Sequence, residues 1–205
     1  MSEKIDIYVI NLEERKDRWE YIEKNFSNFN LIRVNAIKKK KGANGCFLSH
    51  IKCIKIAKEK KLKNIIVIED DCKPVDNLYE RLKIIKKYLD ENDSWSLYLG
   101  GTSKVFDTDV INSFIFNGEK IVEVNKGLMT HFICYNHSVY DFFLERENNF
   151  EIPIDKIWHG NFNALVSVPF IAFQCDGYSD ILNKPTSTVG RMTSSEKSLL
   201  SKFNN

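Results

Sequence analysis

The chain has 205 residues, 43% hydrophobic, 12% aromatic and 28% charged. That apolar content can offset chain entropy and excludes a disordered polymer, and the length points to one domain around a nearly continuous core. Thirty Lys and Arg against 28 Asp and Glu leave a formal charge of +2, with no large field to gather nucleic acid or anionic lipid. The five cysteines, at positions 46, 53, 72, 134 and 175, form no CxxC pair, which argues against a disulfide framework or zinc knuckle and predicts reduced thiols, mostly core. No stretch approaches the about 20 apolar residues of a membrane span, and the first apolar run is too short for a secretory segment. The final KFNN is neither a retention nor a prenylation signal, so a cytoplasmic protein of bacterial or viral setting is the expectation.

In chain order, residues 5–12 form a dense apolar run too short for a helix and read as a buried strand. Residues 13–28 follow with Trp19, Ile22 and Phe26 at helical spacing, then a second strand over 31–36. Lys38 to Lys41, Gly42 and Gly45 read as a basic, glycine-punctuated loop, either a gate to a binding site or a solvated turn, the second being favoured. Asn44 is the expected N-cap of a helix whose Phe47, Ile51, Ile54 and Ala57 share one face and whose end is rich in lysine. Residues 65–68 are an unbroken β-branched run, the pattern of a central parallel strand, and lead directly into Glu69-Asp70-Asp71. Asn77 with Glu80 resembles a capping box for a helix over 77–90, and a strand over 96–99 ends in Gly100-Gly101. Strands alternating with helices predict right-handed βαβ units around a mostly parallel sheet, an α/β fold with helices on both faces.

Past residue 101 the pattern changes. Residues 113–116 and 120–124 flank Asn117-Gly118-Glu119 as a hairpin, 128–135 read as a strand, 137–147 and 154–164 have helical spacing, and 169–173 suit a last strand. The expected organisation is a single domain over 1–185, with a nucleotide-domain-like half to about 101 and a smaller, antiparallel half over 102–185. Residues 186–205 read as a polar tail or a lid.

Ligands of open α/β sheets bind outside the carboxyl ends of the strands, where Glu69, Asp70 and Asp71 fall. Strand alternation places Glu69 and Asp71 on one side and Asp70 elsewhere, provided the strand lasts to Asp71. Such charges raise one another's pKa unless a counter-ion is present, and a hard divalent cation is the natural candidate. The bland alternative is an exposed turn or a cap for the next helix.

These residues resemble family 25 glycosyltransferases, which include lipopolysaccharide and procollagen galactosyltransferases. Ile10-Asn11-Leu12 with Arg15, Asp17 and Arg18 resembles the family's opening signature; Gly45-Cys46-Phe47-Leu48-Ser49-His50 its GCxLSH segment; and Ile68-Glu69-Asp70-Asp71 its EDD form of the DxD motif. Weaker echoes lie over 127–135, at Pro153-Ile154-Asp155, and at Gln174 with Gly177-Tyr178-Ser179-Asp180-Ile181. The resemblance implies a GT-A fold, a UDP-sugar donor, a Mn²⁺ or Mg²⁺ ion, and transfer of galactose or glucose to an acceptor hydroxyl with inversion. The acceptor would be a glycan, a lipid-linked sugar or hydroxylysine.

On that resemblance Asp71 holds the metal with Glu69 or Asp70 assisting, and the metal neutralises charge on the leaving diphosphate. Asp155 is the expected base, with Asp180 its rival; the alternative for Asp155 is a helix N-cap. Asn11 and Leu12 would meet uracil and ribose, and Arg15 and Arg18 phosphate oxygens. Ser49 and His50 are placed near a helix start that favours an anion, and His131 beside donor or metal. Cys46 and Cys53 read as small apolar packing, and Trp158 and Tyr178 as core or as sugar-stacking rings.

A haloacid-type phosphatase needs its aspartate pair after the first strand, which here ends in Asn11-Leu12-Glu13. A nucleotidyltransferase would usually carry a glycine-rich loop there, where Glu13-Glu14-Arg15-Lys16 stands. A non-catalytic nucleotide-sugar-binding domain has no reason to keep a repulsive acid cluster.

Overall fold

The apolar runs become strands because every second residue has a separate core to enter. In β1 (Asp6–Asn11), Tyr8 and Ile10 face one cluster of buried side chains while Ile7 and Val9 face another on the opposite side of the sheet. The same alternation splits β3 (Asn64–Glu69), with Ile65 and Val67 on one face and Ile66 and Ile68 on the other. Two-sided burial of this kind explains why these segments read as continuous rather than alternating hydrophobicity. The computed structural model describes residues 4–179 and 184–203.

The remaining elements are α1 (Lys16–Asn25), β2 (Asn30–Asn35), α2 (Gly42–Glu59), β4 (Cys72–Pro74), α3 (Leu78–Glu91), β5 (Leu97–Leu99), β6 (Val110–Phe116), β7 (Glu119–Val124), β8 (Phe132–Asn136), α4 (Tyr140–Leu144), α5 (Ile154–Ile157), β9 (Ala164–Ser167), β10 (Ala172–Gln174), β11 (Gly177–Ser179), β12 (Lys184–Thr186) and α6 (Val189–Leu200). Eight strands form one sheet in the order β2-β1-β3-β8-β5-β9-β7-β6, with β8 and β7 running against the other six. The sheet is therefore mixed but mostly parallel. Helix α2 supplies Phe47, Ile51, Ile54 and Ala57 to one face; α1 and α3 cover the other with Ile22, Leu82, Ile85 and Leu89.

Several local expectations need correction. Asn44 does not cap α2, which starts at Gly42, and its amide instead donates to Glu151 at 3.2 Å. Asn77 precedes α3 without a side-chain cap hydrogen bond. The helix expected over 154–164 stops at Ile157, because Trp158 turns into the core at 1% exposure and Gly160 takes a positive φ of 73° before β9 begins. Trp158 is thereby a core residue and not a sugar platform. The hairpin of β6 and β7 closes through Asn117 and Gly118, both at positive φ (48° and 88°), as the tight primed turns of twisted strands require.

The segment expected as a polar tail or lid folds, over Val189–Leu200, into α6. Met192 and Leu199 lie on one face and are fully buried, while Ser195 and Ser198 hydroxyls accept backbone N–H groups from Val105 and Asp107 at 3.2 and 3.0 Å. All five cysteines are free. Among the described residues, no helix is long and apolar enough to cross a membrane.

Arg81 on α3 ties this helix to the far side of the sheet. Its guanidinium donates to the Glu119 carboxylate at 2.8 and 2.9 Å and to the Pro169 and Phe170 carbonyls, with both charged side chains about nine-tenths buried. Removing one partner of such a pair strands the other charge. Arg81→Ala is expected to lower the free energy of unfolding by about 3 kcal/mol, more than a paired Arg81→Met, Glu119→Leu double change, when both are followed by urea denaturation.

Candidate active site

The sheet register sets the site. Ile10 pairs with Glu69, so Asn11 and the acidic triplet leave the sheet side by side at the carboxyl ends of β1 and β3. The strand ends at Glu69 and the chain turns, so the alternation expected through Asp71 does not persist and each acid takes its own direction.

Asp70 points back toward the first strand. It accepts from Asn11 Nδ2 at 2.7 Å and from the Arg18 guanidinium at 2.7 Å, and is 8% exposed. Burial pushes its carboxyl up, against the pull of Arg18 and Asn11. Asn11 is itself fixed by an Arg33 donor on its oxygen.

Glu69 turns the other way, toward α2 and the segment before β8. Its Oε1 accepts from the Thr130 hydroxyl at 2.7 Å and lies 3.5 Å from His50 Nε2. Burial alone would raise the Glu69 carboxyl, but the His50 and Thr130 contacts outweigh it and leave it below the usual value. His50 is completely buried and its Nδ1 is 3.0 Å from the Tyr135 hydroxyl, so it orients Glu69 from behind.

Asp71 is the least neutralised of the three. Gln174 Nε2 donates to Oδ2 at 2.9 Å and Arg18 lies 3.9 Å away, but Oδ1 is buried with no hydrogen-bond partner among the described residues. Burial, and then the charge of Glu69, push this carboxyl up to about 7. An orphaned, buried carboxylate oxygen beside two more acids is a donor set suited to a hard divalent cation. The residues present therefore fit the metal that the sequence resemblance implies.

A cavity of about 510 Å³ opens over this junction. Ile10, Leu12, Arg15 and Arg18 line one side, residues 36–40 and the first turns of α2 the other, and the three acids the floor. The lysine loop is thus a wall of the cavity and not merely a solvated turn. Lys38 pairs with Glu14, and Arg15 with Asp17 at 2.9 Å.

Gly45 has a steric reason to be glycine: a Cβ there would come 2.3 Å from the Ile37 carbonyl oxygen. Ser49 secures the same approach, accepting the Ile37 N–H at 2.8 Å and donating to the Gly45 carbonyl at 2.7 Å. The expectation that Ser49 and His50 sit near an anion-binding helix start is corrected. With α2 beginning at Gly42 they lie two turns in, where backbone N–H groups are already used within the helix. His131 is fully buried and lines neither cavity described here, but its backbone carbonyl accepts the Glu69 N–H at 3.0 Å, which keeps it directly behind the acid cluster. Its Nε2 faces the Ala172 carbonyl at 3.3 Å, burial lowers its pKa to about 4, and Nδ1 has no partner among the described residues.

A second cavity, of about 300 Å³, shares Cys46 and Glu69 with the first and is lined further by Met129, Thr130, Asp155, Gln174 and Arg191. Asp155 sits inside α5 rather than capping it, and its Oδ2 accepts the Met129 N–H at 3.1 Å. Met129 holds a φ of +85°, a strained backbone for a residue with a side chain, which aims that N–H at the carboxylate. Burial, with a smaller effect from the Glu69 charge, raises the Asp155 carboxyl above its ordinary value. Asp180, the rival, and Ile181 lie outside the described residues, as does the Tyr178 side chain.

Residues 40–149, more than half of the chain, match the sequence model of glycosyltransferase family 25, described as LPS biosynthesis proteins. The chain belongs to this family. It is a glycosyltransferase of α/β architecture, built on one large mixed sheet. No curated protein sequence matches the chain. Among solved structures, it is similar to a glycosyltransferase involved in the glycosylation of the major capsid of PBCV-1, at 9% identity and a TM-score of 0.43 over 78% of this chain and 72% of that one. It is also similar to A197 from STIV, at 10% identity and a TM-score of 0.42 over 91% and 94%, and to mouse xyloside xylosyltransferase 1, at 8% identity and 0.41 over 75% and 67%.

Sequence reasoning missed Thr130 and Met129, which carry no pattern of their own, and gave Gln174 no role. Cys46, read as packing, is half-buried against Glu69 with its sulfur 4.0 Å from Oε1.

Because the Asp71 carboxyl is raised in the folded state, the fold binds more protons than the unfolded chain between its ordinary value of 3.8 and about 7. Stability at this site is present below the lower value and lost as pH rises to the upper one. Asp71→Asn removes that loss. In metal-free protein its stability advantage is expected to grow between about pH 4 and 7 to a few kcal/mol and stay level above, as read from Tm across pH.

Proposed function

We propose that this family 25 glycosyltransferase moves a hexose from a UDP-sugar to an acceptor hydroxyl, with metal dependence and inversion at the anomeric carbon. The single observation that carries the reading is the pair of adjoining cavities with Glu69 in their common wall: an orphaned Asp71 oxygen serves the first, and a carboxylate of raised affinity for protons, Asp155, serves the second.

In this reading the larger cavity takes the nucleotide. Asn11 and Leu12 at the end of β1 lie where base and ribose rest, and Arg15 and Arg18 face the diphosphate. Asp71, with Glu69, holds Mn²⁺ or Mg²⁺, which supplies charge neutralisation for the diphosphate leaving group. Asp70 is committed to Arg18 and Asn11 and so positions the arginine. Ser49 and His50 act by position rather than contact, the first holding the cavity wall and the second orienting Glu69. His131 supports the segment carrying Thr130 from below.

Asp155 takes the proton from the acceptor hydroxyl as its oxygen attacks the anomeric carbon, and the bond from that carbon to the diphosphate breaks with its electron pair. Attack from the cavity opposite the nucleotide inverts the centre. The donor half then corresponds to residues up to about 101 and the acceptor half to those beyond, where Met129, Thr130 and Asp155 lie. The family's place in LPS biosynthesis favours a glycan or lipid-linked acceptor over hydroxylysine.

Incubation with Mn²⁺ and a panel of UDP-hexoses is expected to release UDP, faster with a glycan acceptor, and to stop on chelation. Asp155→Asn should lower turnover by about 10²–10⁴-fold while leaving the Kd for UDP within about twofold. Metal-dependent UDP binding with no release under any acceptor would replace the transferase reading by a nucleotide-sugar-binding domain, and wild-type turnover in Asp155→Asn would move the base to Asp180.

A further inference from the structure

Helix α2 brings to the Glu69 carboxylate, at the end of β3, the His50 ring and a thiol, Cys46, that the transfer reaction does not use. Cys46 and His50, one turn apart, place a thiol and an imidazole against the Glu69 carboxylate. His50 Nε2 is 3.5 Å and Cys46 Sγ 4.0 Å from Glu69 Oε1, and the three donor atoms all lie within 4.8 Å of one another. Around a tetrahedral zinc ion the ligand atoms stand about 2.0–2.3 Å from the metal, hence roughly 3.3–3.8 Å apart, so closing this triangle needs side-chain shifts of about an ångström.

We propose that Cys46, His50 and Glu69 form a binding site for a borderline divalent cation of the Zn²⁺ type, distinct from the hard-ion position at Asp71. The two positions differ in chemistry. Thiolate and imidazole select Zn²⁺ or Co²⁺, whereas Asp71 offers only oxygen, the preference of Mg²⁺ and Mn²⁺. Three protein ligands leave a fourth position, and because Cys46 and Glu69 line both cavities that position has access to solvent.

The surroundings already supply the outer support that a metal-bound histidine needs. The Tyr135 hydroxyl, 3.0 Å from His50 Nδ1, can accept a hydrogen bond as well as donate one. With the ion bound, the neutral His50 ring carries its proton on Nδ1, hydrogen-bonded to the Tyr135 oxygen, and the Nε2 lone pair faces the ion. The Cys46 thiol gives its proton to solvent as the sulfur–metal bond forms, and Glu69 exchanges the Thr130 hydroxyl for the ion. The net change is one proton released for one ion bound, with no oxidation. In the absence of the ion, burial and the Glu69 charge keep Cys46 a thiol. The site does not depend on the chain being an active transferase.

The test is a titration of the metal-free full chain with Co²⁺. One equivalent is expected to produce the thiolate-to-cobalt charge-transfer absorption and the intense visible bands of a tetrahedral ion, both bleached by Zn²⁺. Cys46→Ser, near-isosteric and checked by circular dichroism, should lose the charge-transfer absorption and bind Co²⁺ at least about 10-fold more weakly, while Asp71→Asn and Cys175→Ser retain the signal. Absence of the charge-transfer absorption in the wild type, or its survival in folded Cys46→Ser, would overturn the site; its loss in Asp71→Asn would merge it with the oxygen-only position and equally overturn it.

Discussion

Three consecutive carboxylates at the end of a buried strand are tolerated only if each is neutralised differently, since the desolvation of each costs several kcal/mol and their mutual repulsion adds to it. The chain solves this by turning at Glu69. Asp70 swings to the Arg18 guanidinium and the Asn11 amide, and Glu69 to the Thr130 hydroxyl and the His50 ring. Among the described residues, Asp71 is left with a hydrogen bond from Gln174 and an Oδ1 that has no partner. Had all three been paired, the cluster would be a structural ion network with nothing to offer a ligand. The uneven distribution concentrates the unsatisfied charge on one residue, Asp71, in the lining of a cavity of about 510 Å³.

What was legible in the sequence follows from how local the determining physics is. The β-branched run of β3 announces a strand with two covered faces whatever surrounds it, and Asn117-Gly118 announces a hairpin because few other dipeptides accept two positive φ angles. The acids at the strand end announce a site for the same reason. Caps and helix lengths were not legible, since Asn44 is drawn away by Glu151, more than a hundred residues distant in sequence. The antiparallel insertion of β8 between β3 and β5 is likewise a tertiary choice; its residues are apolar on both faces and would fit either direction. Asp155 was singled out through a motif, but the Met129 N–H bound to its carboxylate depends on a backbone angle that no side-chain pattern advertises.

The Gly45-Cys46-Phe47-Leu48-Ser49-His50 segment becomes intelligible once it is wound into a helix that begins at Gly42. Positions four apart share a face. Gly45 and Ser49 form one stripe, against the loop at Ile37, where the absent Cβ and the hydroxyl let helix and loop come into contact and so define the cavity wall. Cys46 and His50 form the neighbouring stripe, against Glu69, and Phe47 with Ile51 forms a third that enters the core. One helix thus shapes the larger cavity, orients an acid and anchors itself to the sheet with adjacent residues. A change at any one of these positions should therefore be felt by its partner four residues away before it is felt by its neighbour in sequence.

This division of labour also accounts for the burial of His50 and Tyr135, which neither cavity reaches directly. Glu69 stands in the wall between the two cavities, so the direction of its carboxylate governs both the charge felt by Asp71 and that felt by Asp155. A flexible glutamate at a strand end would wander among donors; the His50 ring, pinned by Tyr135 within a packed aromatic group that includes Phe143, removes that freedom. The rigid layer behind the site thereby fixes the electrostatics of both cavities through one side chain, and the strain held at Met129 is tolerable because the same layer over-determines the strand that follows it.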